Sequence, residues 1–199
     1  MLRISGGLLG GRRIATPKGS ATRPTADKTR QAIFNVLGAA LELSGARALD
    51  LYAGSGALGI EAYSRGASAV VWVESDRRTA ALIRENLAAL EIGPPSGRVV
   101  AARVLPWLGQ PCLETPFSII LADPPYASPD YEKLLPALAA WPGAAGGAWI
   151  ALEAPAGMDL PVPAGLELAR VKRYGDSQVL FYCKEETAAP GEGVIPARP

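Results

Sequence analysis

The sequence contains no histidine and only two cysteines among its 199 residues. Without histidine, a Ser-His-Asp triad, a Cys-His nucleophile pair and imidazole-based metal sites are all excluded. Cys112 and Cys183 lie far apart, with no second thiol near either. Neither a disulfide framework nor a zinc-like spacing is present, and no metal is expected. Both cysteines are expected to act as small buried apolar residues. Apolar runs are also short, none approaching the roughly 20 residues needed to cross a bilayer. Arg3 and a cluster of glycines stand where a signal peptide would need an apolar segment. The expectation is a cytoplasmic protein without membrane contact.

What is present looks like one ordinary globular domain, at 49% hydrophobic and 20% charged residues. A net charge of +1 conceals an uneven distribution. The first 40 residues carry seven basic side chains (Arg3, Arg12, Arg13, Lys18, Arg23, Lys28 and Arg30) against Asp27 alone. The rest of the chain holds 13 basic and 18 acidic groups. A basic end on a mildly acidic body suits an appendage that binds phosphates. A solvated charged segment would have the same composition.

Residues 1–24 read as a glycine-rich basic arm or small hairpin. Thr25 can cap a helix over 25–43, with Asp27 favoured by the dipole in its first turn. Its stripe of Ile33, Phe34, Val36, Leu37, Ala40 and Leu41 follows a period near 3.6. Beyond it, strands over 48–52, 69–74, 98–102, 117–122 and 148–153 alternate with helices over 57–64, 77–90 and 131–141. Such alternation implies a parallel sheet with helices on both faces. Strands over 166–173 and 178–184 are separated only by Tyr174-Gly175-Asp176-Ser177, which forces an antiparallel hairpin. The expected fold is α/β and Rossmann-like, with a mostly parallel seven-stranded sheet and an antiparallel C-terminal edge. Residues 25–186 form this domain, and 187–199, rich in proline and glycine, form a disordered tail.

After the first long strand comes Asp50-Leu51-Tyr52-Ala53-Gly54-Ser55-Gly56-Ala57-Leu58-Gly59. Gly54, Gly56 and Gly59 have G-x-G-x-x-G spacing, and Glu74 lies twenty residues beyond Gly54. The glycines allow close approach of a ligand, and the acid suits ribose hydroxyls. Asp50 discriminates between ligands. A carboxylate there would repel the pyrophosphate of a dinucleotide but favour the cationic aminoacyl end of S-adenosylmethionine. The alternative for Asp50 is pairing with local backbone amides, and for Glu74 a surface position. The expected cofactor-binding set is Asp50, Tyr52, Ala53, Gly54, Ser55, Gly56, Glu74 and Ser75, joined by Asp123.

Asp123-Pro124-Pro125-Tyr126 follows the strand over 117–122 directly. Two prolines cannot continue a strand, so the chain is held in a stiff turn at a strand's C-terminal end. That edge is where ligands bind in open α/β sheets. An exocyclic base amine is a poor nucleophile, because its lone pair is delocalised into the ring. Hydrogen bonds from its N–H groups to Asp123 and to the Pro124 carbonyl would free that pair, and Tyr126 would stack on the base. Asp123, Pro124, Pro125 and Tyr126 are therefore the expected catalytic residues. A base paired in a duplex could not reach them without flipping.

The chain resembles the bacterial RsmD family, the small-subunit rRNA guanine-N2 methyltransferases. The distinctive part is N-terminal: Arg3-Ile4-Ser5-Gly6-Gly7, Gly11-Arg12-Arg13-Ile14, Arg23-Pro24-Thr25-Ala26-Asp27-Lys28-Thr29-Arg30 and Phe34-Asn35-Val36-Leu37. The loop and helix over 49–62, Asp123–Tyr126 and Arg173-Tyr174-Gly175-Asp176 match as well. The resemblance implies methylation of a guanine 2-amino group in 16S rRNA, at position 966, within an assembled or assembling small subunit. It implies phosphate contacts from Arg12, Arg13, Arg23 and Arg30, with Thr25 and Arg23 near cofactor and base. A monomer is expected. Where such enzymes often read the cofactor's adenine with Asp or Asn, this chain has Arg103, which cannot accept a hydrogen bond. Rival readings are a DNA adenine-N6 methyltransferase, an NAD-dependent oxidoreductase, and a non-catalytic RNA-binding assembly factor on the same fold.

Overall fold

Short runs of valine, isoleucine and leucine become strands here because they suit a sheet covered on both faces. The structure is a computed structural model that describes residues 1–17, 24–112 and 115–186, with 24–26 through their backbone alone. At the N-terminus, β1 (Leu2–Arg3) and β2 (Arg13–Ile14) pair antiparallel. The helix α1 (Pro24–Ala40) follows, then β3 (Arg47–Leu51), α2 (Ala57–Ser64), β4 (Ala69–Glu74), α3 (Arg77–Ala89) and β5 (Gly97–Ala101). Next come α4 (Val104–Leu108), β6 (Phe117–Ala122), α5 (Tyr131–Ala140), β7 (Ala144–Pro155), β8 (Leu166–Tyr174) and β9 (Ser177–Lys184).

The seven-stranded sheet has the order β5-β4-β3-β6-β7-β9-β8. It is parallel from β5 to β7, and β9 runs antiparallel to both β7 and β8. This is the expected arrangement, closed by a tight turn in which Tyr174 pairs with Ser177 and Gly175 takes a φ of 58°. Strand order reverses between β3 and β6. Their carboxyl ends therefore open a crevice at the switch point, the usual ligand position in this architecture.

Side-chain alternation divides the core into two layers. Ala48, Val70, Trp72, Ile119, Leu121 and Phe181 face one cluster, which includes Ile33, Phe34 and Leu37 of α1 and Ile83 and Leu87 of α3. Leu49, Leu51, Val71, Val73, Ile120 and Tyr182 face the other, with Leu134, Leu135 and Leu138 of α5. The N-terminal hairpin belongs to the first layer, because Ile4, Leu9 and Ile14 are buried in it. It is thus a docked hairpin rather than a free arm.

Several expected boundaries shift. Helix α1 begins at Pro24, so Thr25 lies inside its first turn instead of capping it. A proline suits that first turn, since its missing N–H would have no partner there. The helix also ends at Ala40 rather than residue 43. The short helix α4 has no counterpart in the sequence reading, and β7 is longer than the expected 148–153. Cys112 and Cys183 are half-buried rather than fully buried, and no disulfide joins them. Lys18, Arg23 and the expected tail over 187–199 lie outside the described residues. No described helix is long and apolar enough to cross a membrane.

Candidate active site

The glycine loop is shaped by bonds within the fold. Tyr52 and Gly54 both take positive φ, at 56° and 53°, and Gly56 follows at 80° as the residue preceding α2. A side chain at Gly59 would overlap the Trp72 indole, so this glycine lets α2 lie close against β4. The indole N–H donates to the Gly56 carbonyl at 3.1 Å and fixes that approach.

Asp50 is buried, and its Oδ2 accepts the Gly59 amide at 2.7 Å. Burial raises its pKa well above the usual carboxylate range, the Gly59 bond opposes the shift, and the charges of Asp123 and Glu74 add to it. Asp50 thus braces the loop from beneath through one of its two oxygens. Glu74 performs a related task at the loop's edge. Its Oε2 accepts the Gly54 amide at 3.0 Å, and its Oε1 accepts the Asp76 amide at 2.8 Å. A carboxylate offers about four acceptor positions, so Glu74 keeps capacity for ligand hydroxyls.

A cavity of about 620 Å³ opens at the switch point. Tyr52, Gly54, Glu74 and Ser75 border one side; Asp123, Pro124, Pro125 and Tyr126 border the other. Asp50, Ala53, Ser55 and Gly56 are not among the described lining residues. The structure therefore brings the glycine loop and the Asp-Pro-Pro-Tyr segment, seventy residues apart in sequence, onto one cavity. The register explains how: Leu51 pairs with Ala122, so Tyr52 and Asp123 leave adjacent strands side by side.

Asp123 faces the cavity while protein encloses it from behind. Loss of hydration from that enclosure, followed by the charge of nearby Glu153, raises its pKa above the ordinary value. Pro124 is buried, and its carbonyl accepts the Tyr131 hydroxyl at 3.0 Å. The second lone pair of that carbonyl is the one left for a ligand amine. Tyr126 is 44% exposed, presenting its ring at the cavity mouth. The Tyr52 hydroxyl donates to Asp130 at 2.9 Å; burial and this carboxylate raise the phenol's pKa.

The basic residues divide. Arg12 and Arg13 are exposed on the hairpin, with Arg12 donating to the Ala89 carbonyl at the end of α3 at 2.7 Å. Arg30, expected to contact phosphate, is instead only 4% exposed. It donates to the Arg3 carbonyl at 2.6 Å and ion-pairs with Asp27 at 3.0 Å and Glu61 at 3.3 Å. Glu61 is fully buried and also accepts from the Ser5 amide and hydroxyl and from Arg65. Burial alone would raise its pKa, but the Ser5 and Arg65 bonds outweigh it and the net shift is downward. An arginine held this way is a structural clamp between α1, the hairpin and α2. Charge counting could not separate it from its exposed neighbours.

Six described lining residues went unassigned in the sequence: Thr29, Glu153, and Tyr174, Gly175, Asp176 and Ser177 around the β8–β9 turn. Glu153 had a usable signal, since it ends a parallel strand on the ligand-binding edge. Thr29 sits one turn before Ile33, on the same helical face. Arg103 precedes α4 and is not among the described lining residues. Thr25 is placed only through its backbone in α1. Among the described residues, no cluster of His, Cys, Asp and Glu could hold a metal ion.

Comparison with known proteins narrows what this cavity serves. YlbH of Bacillus subtilis is 34% identical over 186 residues, spanning 92% of this chain and 99% of that protein. Ribosomal RNA small subunit methyltransferase D of Escherichia coli strain K12 is 40% identical over 125 residues, 63% of this chain and 60% of that protein. The solved structure of Escherichia coli YhhF superposes with a TM-score of 0.81 at 34% identity, covering 94% of this chain and 99% of that one. Structural neighbours are S-adenosylmethionine-dependent methyltransferases, whose sheet this chain shares. The family model described as Conserved hypothetical protein 95 matches residues 2–183, from the docked hairpin to the end of the sheet, and the chain belongs to that family, the RsmD family.

Proposed function

We propose that the protein transfers a methyl group from S-adenosylmethionine to the 2-amino group of a guanine in 16S rRNA of the small ribosomal subunit, at position 966. The observation that carries this reading is the placement of Asp123. Its carboxylate faces the cavity beside the glycine loop, and no described hydrogen-bond donor of the protein occupies it. A carboxylate that faces a cavity without a protein donor is open to a ligand that brings one. The name of the Escherichia coli relative supports the rRNA class, and the guanine is what the family resemblance of the N-terminal motifs implies.

The residues present suit the cofactor. Glu74 has acceptor capacity toward ribose hydroxyls, the glycine loop admits close approach, and Ser75 lines the same wall. S-adenosylmethionine, when bound, supplies a methyl group activated by its sulfonium charge. The chain then has to orient the amine. Asp123 accepts one amine hydrogen, and the free lone pair of the Pro124 carbonyl accepts the other. This arrangement favours a pyramidal nitrogen whose electron pair points across the cavity. As the amine becomes cationic, Asp123 takes its proton, a task eased by the raised pKa. Tyr126 stacks on the extruded base, and the proline pair keeps donor and acceptor aligned. Arg12 and Arg13 meet phosphates outside the cavity. In this reading the protein acts as a monomer.

Labelled methyl transfer tests the proposal directly. Small subunits, purified 16S rRNA and duplex DNA, all from cells lacking the modification, are incubated with enzyme and labelled cofactor, then digested to nucleosides. Label in N2-methylguanosine from subunits is expected. Label in N6-methyladenine would retain the fold and replace the substrate.

A further inference from the structure

Asp123 does not stand alone on its side of the cavity. Ala122 of β6 pairs with Leu152 of β7, so Asp123 and Glu153 are each the next residue on neighbouring parallel strands. Both line the cavity. The Tyr131 hydroxyl lies 3.0 Å from the Pro124 carbonyl and 3.4 Å from the Glu153 carbonyl, tying the two strand ends together. The two acids therefore start from neighbouring backbone positions fixed by the sheet register.

Two carboxylates held side by side repel each other and disfavour ionisation. The repulsion is visible in Asp123, whose raised pKa Glu153 helps cause. The charged side chains among the described lining residues are Glu74, Asp123, Glu153 and Asp176. A ligand edge that presents two adjacent hydrogen-bond donors would relieve the repulsion. Three RNA bases carry an exocyclic amine, and they differ in the ring atom next to it. Adenine offers a lone pair at N1 and cytosine a lone pair at N3. Guanine alone offers a second donor, N1–H, beside its 2-amino group. A lone pair facing a carboxylate is repelled, whereas N1–H is bound.

We infer that Glu153 accepts the N1–H of the target guanine while Asp123 accepts from its 2-amino group, so that Glu153 selects guanine over the other amine-bearing bases. The inference rests on the proposed function and adds the residue that reads the base. Other partners of Glu153 do not compete with this role, since a carboxylate has about four acceptor positions. A site built to bind a ligand N–H discriminates strongly against an analogue lacking it, because the site's own polar group is then left unpaired.

The test uses 2-aminopurine, which keeps the 2-amino group but has a lone pair at N1. Small subunits are reconstituted with 16S rRNA ligated from two pieces, the synthetic one carrying guanine or 2-aminopurine at the target position. Wild-type enzyme is expected to favour guanine in kcat/KM by about 10- to 100-fold or more, the range for a charge-assisted hydrogen bond. Glu153→Gln places an amide that can donate to the N1 lone pair, and the preference should shrink to about threefold or less. Calorimetric affinity for S-adenosylmethionine should stay unchanged, because Glu153 lies on the base side. A merely structural role would slow both substrates together and leave the ratio intact, which would overturn the inference. Should the glutamine variant fail to fold, Glu153→Ala must still narrow the ratio. Equal use of both substrates by the wild-type enzyme would overturn it without any variant. Absence of N2-methylguanosine with wild-type enzyme would instead bring down the proposed function itself.

Discussion

The two walls of the cavity are built on opposite principles. On the glycine-loop side, the acids are already engaged: Asp50 holds the Gly59 amide, and Glu74 holds the Gly54 and Asp76 amides. On the other side, Asp123 faces the cavity with no described protein donor, next to a second carboxylate and an exposed tyrosine ring. The first wall is complete before any ligand arrives, so its task is to hold a rigid shape. The second is electrostatically unfinished and is completed by a substrate rich in N–H donors. One cavity thus divides into a preformed cradle for the cofactor and a donor-seeking surface for the base.

Exchanging the roles of the walls would break this comparison, and the largest effect falls on the unfinished one. Asp123→Ala is expected to slow methyl transfer by about 100- to 10,000-fold, the range for a positioned proton acceptor. Calorimetric affinity for S-adenosylmethionine should change by no more than a few-fold. The same residue sets the pH response. Its raised pKa means that the active, ionised form is lost as pH falls through a point above the ordinary aspartate value of about 3.9. A wild-type acid limb at that ordinary value would disconnect the rate from Asp123.

Asp50→Ala probes the finished wall. Removing the acceptor leaves the buried Gly59 amide unpaired, costing about 1–3 kcal/mol of stability. A lower melting temperature and weaker cofactor binding should appear together; weaker binding alone would mean that Asp50 touches the ligand after all. Tyr126→Ala sharpens the other side. It should cost about 1–3 kcal/mol in kcat/KM through lost stacking, with Tyr126→Phe nearly neutral; equal losses would point to the hydroxyl instead. The smallest effect is expected from the exposed arginines of the hairpin. Charge reversal at Arg12 and Arg13 should weaken subunit binding and lower its salt slope by roughly one unit per lost phosphate contact. Charge reversal at Arg30 should unfold the hairpin, because that side chain is buried against Glu61.

Much of this architecture was legible in the chain itself. The helix over 57–64 and the strands over 69–74 and 117–122 occupy the expected residues, since each combines a clear period with a glycine or proline boundary. The hairpin after Tyr174 followed from connection length alone. The site was less legible. Glycine spacing located the loop, but not the bond by which Asp50 braces it, because a side chain's direction depends on which amide lies opposite. Arg30 and Arg12 look alike in a list of charges, yet one is sealed beneath the hairpin and the other stands in solvent. Helix α4 was missed because five residues are too few to show a period.

Local chemistry was thus enough to determine the order of elements, the glycine loop, the rigid Asp-Pro-Pro-Tyr turn and the family resemblance, because each depends on neighbours within a few residues. Tertiary structure decided which charged groups are structural and which are available. It buried Arg30 against Glu61, turned Asp50 under the loop and set Glu153 beside Asp123. These outcomes depend on strand register and helix packing, which join residues tens of positions apart, and no local pattern encodes the desolvation or the hydrogen-bond partner that results.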